Sequence, residues 1–255
     1  MSRKIEKPLK AKLAPDHPLY EVIEEAYRVF NYPTPTEIGV CQGCCMCRKI
    51  EKDFFNPPIR ELPLHYLQDW YFAASDIPLS KRIWGYLLPR ILEVLANGED
   101  LSMVALEVSV NRFPTGDKTQ WTGAEWAVID NFQRKYLDHF IAESQTGDYL
   151  DDVLCMFAEA GWPLDDLLDQ VWAAPDDVLT HRLYLDWCNS GAAIWVTTFW
   201  EGGRNTDVFD FYTSRRLYKR MERLALRDNT PSDLAEKALA VASVIQDSAF
   251  WAPRK

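Results

Sequence analysis

Four cysteines lie within seven residues of this chain, in the sequence Cys-Gln-Gly-Cys-Cys-Met-Cys that begins at Cys41. Cys41 and Cys44 have the two-residue separation that allows two thiolates to bind one metal ion from a tight turn. A structural zinc ion needs two further ligands, and Cys47 and His65 are the nearest candidates. The spacing therefore predicts a zinc site formed by Cys41, Cys44, Cys47 and His65.

Two other interpretations of these cysteines stay open. An iron–sulfur cluster can use four cysteines, although the spacing here differs from the usual ones. Alternatively, the cysteines are thiols covered by a loop, because the chain has no second Cys-x-x-Cys pair of the kind that most structural zinc sites contain. The basic N-terminus has no apolar segment behind it, so no secretory signal is expected. We therefore predict a cytoplasmic protein whose six cysteines stay reduced.

A second candidate site is acidic. Residues 145–186 contain ten acidic side chains and one basic side chain, whereas residues 204–227 contain seven basic and three acidic ones. Such separation of charge steers a charged partner, unless the two helix faces simply neutralise each other in the fold. We predict a partner-binding patch of Asp151, Asp152, Asp165, Asp166 and Asp169. The alternative is that these carboxylates only stabilise the starts of helices.

Several classes of protein are disfavoured by the composition. A formal net charge of −10 and a pI near 4.9 argue against direct nucleic-acid binding. No apolar run approaches the roughly 20 residues that span a bilayer. The four histidines are scattered, and no phosphate-binding loop or nucleophile motif is present. These features favour a binding protein over an enzyme, and the expected list of catalytic residues is empty.

Apolar residues recur at helical spacing through almost the whole chain, which predicts an all-α fold. We expect a flexible basic tail over residues 1–15 and one helical domain over 16–255, with a cysteine-rich loop at 32–58. Short loops between helices favour antiparallel helix pairs, which would suit a solenoid-like stack. Residues 104–110 alternate like a strand, but their helical surroundings favour a helix, and residues 195–200 are left unassigned.

Some helix boundaries can be predicted from local signals. A helix over 87–96 would carry Pro89 in its first turn, where the missing N–H costs nothing. Thr122 and Glu125 form a capping-box pattern ahead of an amphipathic run. Residues 207–226 predict one long basic helix, and Thr230-Pro-Ser-Asp predicts the start of the last helix.

Several short segments, in order, resemble a group of uncharacterised bacterial cytoplasmic proteins of similar length. They are Tyr-Arg-Val-Phe-Asn-Tyr-Pro before Cys41-x-x-Cys44, then Pro-Ile-Arg-Glu-Leu, Leu-Pro-Arg-Ile-Leu-Glu and Trp121-x-x-x-Glu125. The resemblance covers about the first half of the chain and implies an all-helical protein without assigned catalytic residues. This chain departs from the pattern by also carrying Cys45 and Cys47.

The expected function is therefore a non-enzymatic protein-interaction module. Its most concrete form is an immunity or antitoxin-like protein that binds a bacterial toxin through the acidic patch, because acidic surfaces complement the basic clefts of toxins that act on nucleic acids. A zinc-binding structural or regulatory protein, with Cys41 and Cys44 as ligands, is the alternative. An enzyme whose site is assembled from distant residues is a third interpretation.

Overall fold

The computed structural model describes residues 13–41, 45–74, 79–144, 147–189 and 191–251. Within these ranges the chain forms α-helices joined by turns, short 3-10 turns and irregular segments, without a β-strand, so the predicted all-α class is confirmed. The predicted basic tail over residues 1–15 lies almost wholly outside the described residues. None of the described helices combines the length and the apolar character that crossing a membrane would require.

The helices are numbered in chain order. They are α1 (Tyr20–Val29), α2 (Arg48–Asp53), α3 (Leu64–Phe72), α4 (Lys81–Ala96), α5 (Gly123–Ala142), α6 (Leu150–Glu159), α7 (Leu164–Ala173), α8 (Asp176–Cys188), α9 (Arg204–Tyr212), α10 (Arg215–Ala225) and α11 (Ser232–Trp251).

The chain divides into two compact units, one within Met1–Lys135 and the other within Tyr136–Lys255, and the division falls inside α5. By sequence, the second unit holds 20 acidic and 11 basic residues, so −9 of the net charge of −10 belongs to it. The solenoid-like stacking of helix pairs stays a prediction.

In the first unit, α4 is the central helix, because all of its residues except Lys81 and Arg82 are buried. It begins six residues earlier than the predicted 87–96, since Ser80 caps it by accepting a hydrogen bond from the backbone N–H of Ile83. Pro89 therefore lies in the helix interior, and its predicted place in the first turn is wrong. The residue four positions before it is Gly85, against which the ring of Tyr32 packs.

Two acidic side chains fasten the elements around α4. The hydroxyl of Tyr27 on α1 donates to Glu93 Oε2 at 2.6 Å, and Glu93 also pairs with Arg90. The hydroxyl of Tyr32 donates to Glu125 Oε1 at 2.5 Å. Each carboxylate therefore ties a segment near the N-terminus to a helix further along the chain.

The capping box predicted at the start of α5 is present. The backbone N–H of Thr122 donates to Glu125 Oε2 at 2.8 Å, and the backbone N–H of Glu125 donates to Thr122 Oγ1 at 3.3 Å. Residues 104–110, in contrast, form neither the predicted helix nor a strand. They are irregular except for a 3-10 turn at Leu106–Val108, and the exposed side chains of Met103 and Val104 precede that turn.

In the second unit, α11 packs against both α8 and α10, and α6 is buried over almost its whole length. The single basic helix predicted over 207–226 is instead two helices, α9 and α10. The chain breaks at Ser214, whose Oγ accepts the backbone N–H of Leu217 at 3.2 Å and caps α10. The predicted start of the last helix is confirmed, because α11 begins at Ser232 directly after Pro231.

Candidate partner-binding surface

The exposed side of α7 carries three carboxylates. Asp165 and Asp166 lie in the first turn of the helix and Asp169 lies one turn further on, all three exposed, while Leu167 and Val171 on the opposite side are buried. We call these three aspartates the acidic face of α7. The pair in the first turn favours the helix, because carboxylates interact well with the positive end of the helix dipole.

The acidic face of α7 is not neutralised inside the protein. Among the described residues, no hydrogen bond or ion pair involves the carboxylate of Asp165, Asp166 or Asp169. Asp165 and Asp169 are four residues apart, so their like charges destabilise α7 by about 0.2–0.5 kcal/mol. A helix that retains this cost presents its charge to solvent, where a basic partner can reach it.

The acidic face of α7 ends at a basic edge. Trp172, on the last turn of α7, has the guanidinium of Arg216 at 3.7 Å from its ring centroid and that of Arg220 at 4.8 Å. Arg220 also donates to Asp176 Oδ1 at 2.8 Å. The predicted neutralisation of acidic by basic helices therefore holds for Asp176 but not for the acidic face of α7. The surface keeps negative charge beside positive charge.

Asp151 and Asp152 do not belong to that surface, so the prediction that they contact a partner is wrong. Their residues are only 2% and 8% exposed. Asp151 Oδ2 accepts the backbone N–H of Thr197 at 2.7 Å and the indole N–H of Trp200 at 3.0 Å. Asp152 Oδ1 accepts the indole N–H of Trp195 at 3.0 Å. Both carboxylates therefore hold one segment of the chain, and Asp152 Oδ2 also accepts the backbone N–H of Tyr149 at the start of α6.

That segment, residues 195–200, is the stretch left unassigned from the sequence, and we call it the aromatic segment. It is irregular, and Trp195, Thr197 and Trp200 all bond to the first turn of α6. Glu201, directly after the segment, donates its backbone N–H to Glu159 Oε1 at 2.9 Å at the other end of that helix. Arg204 follows and pairs with the same Glu159. The start of α6 thus holds the aromatic segment, and its end holds the residues that follow.

The start of α6 is held by a third buried carboxylate. Asp186 on α8 accepts the backbone N–H of Leu150 at 3.0 Å and pairs with Arg182 at 2.5 Å. Burial raises the pKa of Asp186 and of Asp152 above the usual range for aspartate. Burial, together with these neighbouring carboxylates, also holds the pKa of Tyr212 well above its ordinary value.

Shifted carboxyl groups can mark a catalytic site, but here their hydrogen bonds all serve packing. The carboxylates of Asp152 and Asp186 accept from backbone and indole N–H groups, and Asp186 also pairs with the buried Arg182. We interpret this cluster as the support that fixes the aromatic segment on α6.

The aromatic segment presents two rings to solvent. Trp195 is 45% exposed and stacks on Tyr149, with ring centroids 5.0 Å apart and an interplanar angle of 30°. Phe199 is 37% exposed. The sequence alone did not assign a role to these residues. Their enrichment in tryptophan and phenylalanine was the available signal, because such rings are common at the centres of protein interfaces.

Cys41 takes part in a disulfide, so the prediction that all six cysteines are thiols is wrong for this residue. Cys45, Cys47, Cys155 and Cys188 are thiols, and Cys44 lies outside the described residues. A disulfide sulfur cannot serve as the thiolate that zinc needs, so Cys41 as a metal ligand stays a prediction for the reduced chain alone.

The remaining predicted ligands give no further support to a metal site. Cys47 is exposed and its backbone N–H donates to Asp69 Oδ2 at 2.8 Å, while His65 is exposed and stacks edge-on against Tyr66. Within the described ranges, no group of three or more His, Cys, Asp or Glu side chains is arranged to hold a metal ion. Zinc binding stays a prediction for the reduced chain, and metal analysis of protein purified under reducing conditions without chelator tests it.

No protein-family model, curated protein or solved structure matches this chain.

Proposed function

We propose that this protein is a non-enzymatic interaction module that binds a basic protein partner through the acidic face of α7. The observation that carries the proposal is the exposure of Asp165, Asp166 and Asp169 without an ion pair among the described residues. The unit that holds them also carries nearly all of the net negative charge. In its most concrete form, the module is an immunity or antitoxin-like protein that binds a bacterial toxin.

Electrostatics gives this surface a definite role in binding. Clustered carboxylates attract a basic partner over a distance of about one Debye length, which is roughly 8 Å at physiological salt. They accelerate association and disfavour acidic partners, while close packing elsewhere supplies most of the affinity. The basic edge at Arg216 fixes the orientation of the partner, because a partner that approaches the wrong way round meets like charge.

The test compares the wild-type protein with D165N/D166N/D169N. Both proteins are immobilised and exposed to a lysate, and a partner that the wild type retains is purified and its Kd measured from 50 to 500 mM NaCl. Exposed charges contribute about 0.2–1 kcal/mol each, so we expect the triple variant to bind roughly 3–150-fold more weakly at low salt. The difference should shrink as salt is added.

D207N/D210N/D228N is the matched control, since it removes the same charge from exposed positions on other segments of the same unit. Equal binding by the two triple variants would contradict the acidic face of α7 as the contact. The toxin form of the proposal is tested by expressing the partner alone. The toxin form is supported if the partner arrests growth and the wild-type protein relieves the arrest better than the α7 variant does. If the partner does not arrest growth, the toxin form is refuted and the proposal of an interaction module is unaffected.

A further inference from the structure

Trp195 combines exposure with a fixed position. Its indole N–H is bonded to Asp152 Oδ1, and one face of its ring is covered by Tyr149, so its 45% exposure comes from the rest of the ring. Thr197 and Trp200, bonded to Asp151, hold the backbone on the other side. A large aromatic surface that is already immobile loses little conformational entropy when a partner covers it.

The surroundings of Trp195 favour a cation as the group that covers it. Indole is the best aromatic partner for cations, and a carboxylate that accepts its N–H polarises the ring so that its face becomes more negative. The unit that holds Trp195 also carries −9 of the net charge of −10. An apolar partner group would gain nothing from this negative charge, whereas a cation is attracted by it.

The same unit already contains an example of the contact. Arg216 lies over the ring of Trp172 at 3.7 Å, which is a planar guanidinium stacked on an indole. Arginine suits such a surface better than lysine, because its flat and weakly hydrated guanidinium can stack on a ring.

We propose that the stacked pair of Trp195 and Tyr149 is the recognition site for an arginine side chain of a protein partner. This inference rests on the proposed function, because it names one contact of the same basic partner. The acidic face of α7 steers the partner, and the Trp195–Tyr149 pair selects arginine within it. Asp151 and Asp152 act as positioning residues, since they touch the aromatic segment and not the partner.

The experiment uses the full chain and a defined probe. A fluorescein-labelled peptide carrying three arginines separated by glycine and serine is titrated with protein, and binding is followed by fluorescence anisotropy at 50 mM NaCl. The same peptide with citrulline in place of arginine keeps the shape and removes the charge. The protein variants are W195F, which keeps a ring, and W195L, which keeps apolar volume, with F72L as the control because Phe72 is an exposed ring in the other unit.

We expect W195L to weaken binding of the arginine peptide by about 2–5-fold, as an exposed cation–π contact predicts. W195F should lie between W195L and the wild type, F72L should match the wild type, and the citrulline peptide should bind all four proteins weakly. Thermal melts by circular dichroism establish that each variant is folded.

Three results would overturn the inference. They are equal binding of the arginine peptide by W195L and the wild type, equal binding of the citrulline and arginine peptides by the wild type, and no saturable binding of the arginine peptide at all. The variant D165N/D166N/D169N separates this inference from the proposed function. If it binds the peptide like the wild type while W195L does not, the role of α7 fails and the arginine site stands. If W195L binds like the wild type while the triple variant does not, the arginine site fails and the role of α7 stands.

Discussion

Replacement of Asp151 by alanine tests whether a buried carboxylate holds the aromatic segment. The change leaves two buried donors without their acceptor, the backbone N–H of Thr197 and the indole N–H of Trp200. An unsatisfied buried donor costs about 1–3 kcal/mol. Removing a buried charge recovers part of this cost, so we expect the free energy of unfolding to fall by about 2–4 kcal/mol.

The chain supplies an unusually close control. Asp165 has the same position in α7 that Asp151 has in α6, because both helices begin with Leu-Asp-Asp. Asp165 is exposed, so D165A should change stability by no more than about 0.5 kcal/mol, the loss of the dipole interaction being offset by the higher helix propensity of alanine.

Urea titrations followed by circular dichroism measure both variants. With an m-value of about 2 kcal/mol/M, the D151A midpoint should fall by roughly 1–2 M relative to D165A. D151N should lie between them, because its amide oxygen can still accept a hydrogen bond. Indistinguishable midpoints for D151A and D165A would refute the reasoning, since the hydrogen bonds of Asp151 would then contribute nothing to stability.

Three further predictions follow from other parts of the molecule. Alkylation of the denatured but unreduced protein should label four cysteines, and six after reduction, whereas six before reduction would contradict the disulfide at Cys41. G85A should lower the free energy of unfolding by about 1–3 kcal/mol, because its new Cβ would lie 2.7 Å from the ring of Tyr32. In the same urea titrations, the control G123A should be neutral or stabilising, because no atom lies near its Cβ. The raised pKa of Asp152 means that the folded state takes up a proton more readily than the unfolded state, so its contribution to stability improves as pH falls through the folded pKa towards 3.8. The free energy of unfolding of D152N, relative to that of the wild type, should therefore be highest at pH 7 and should decrease towards pH 4. A relative stability of D152N that increases towards pH 4 would contradict this reasoning.

The two Leu-Asp-Asp helix starts show what the sequence could predict and what it could not. First-turn carboxylates act through the local backbone, so the starts of α6 and α7 were recognisable from the sequence. Whether a carboxylate is buried, in contrast, depends on residues far away in the sequence. Asp152 is covered by Trp195, which lies 43 residues further along the chain, and no partner of that kind covers Asp165. Identical tripeptides therefore received the same predicted role, although one supports the fold and the other faces solvent.

Other differences have equally specific causes. The periodicity of residues 207–226 continues across Ser214, so apolar spacing alone joined α9 and α10 even though a capping serine marked the break. Pro89 was expected at a helix start because prolines are uncommon in helix interiors, but α4 is buried so thoroughly that packing outweighs one missing hydrogen bond. The oxidation state of Cys41 depends on a covalent pairing that the spacing of thiols does not determine.

The way the aromatic segment is attached to α6 has a consequence for its dynamics. An irregular stretch next to exposed rings would ordinarily exchange its amide hydrogens with solvent within seconds or less. The amide of Thr197 is buried and donates to Asp151, so its exchange requires that the segment be released from α6. We therefore expect Thr197 to exchange as slowly as amides within the helix, while its exposed neighbour Thr198 exchanges freely. A segment without secondary structure would thus be protected from exchange by its attachment to a helix.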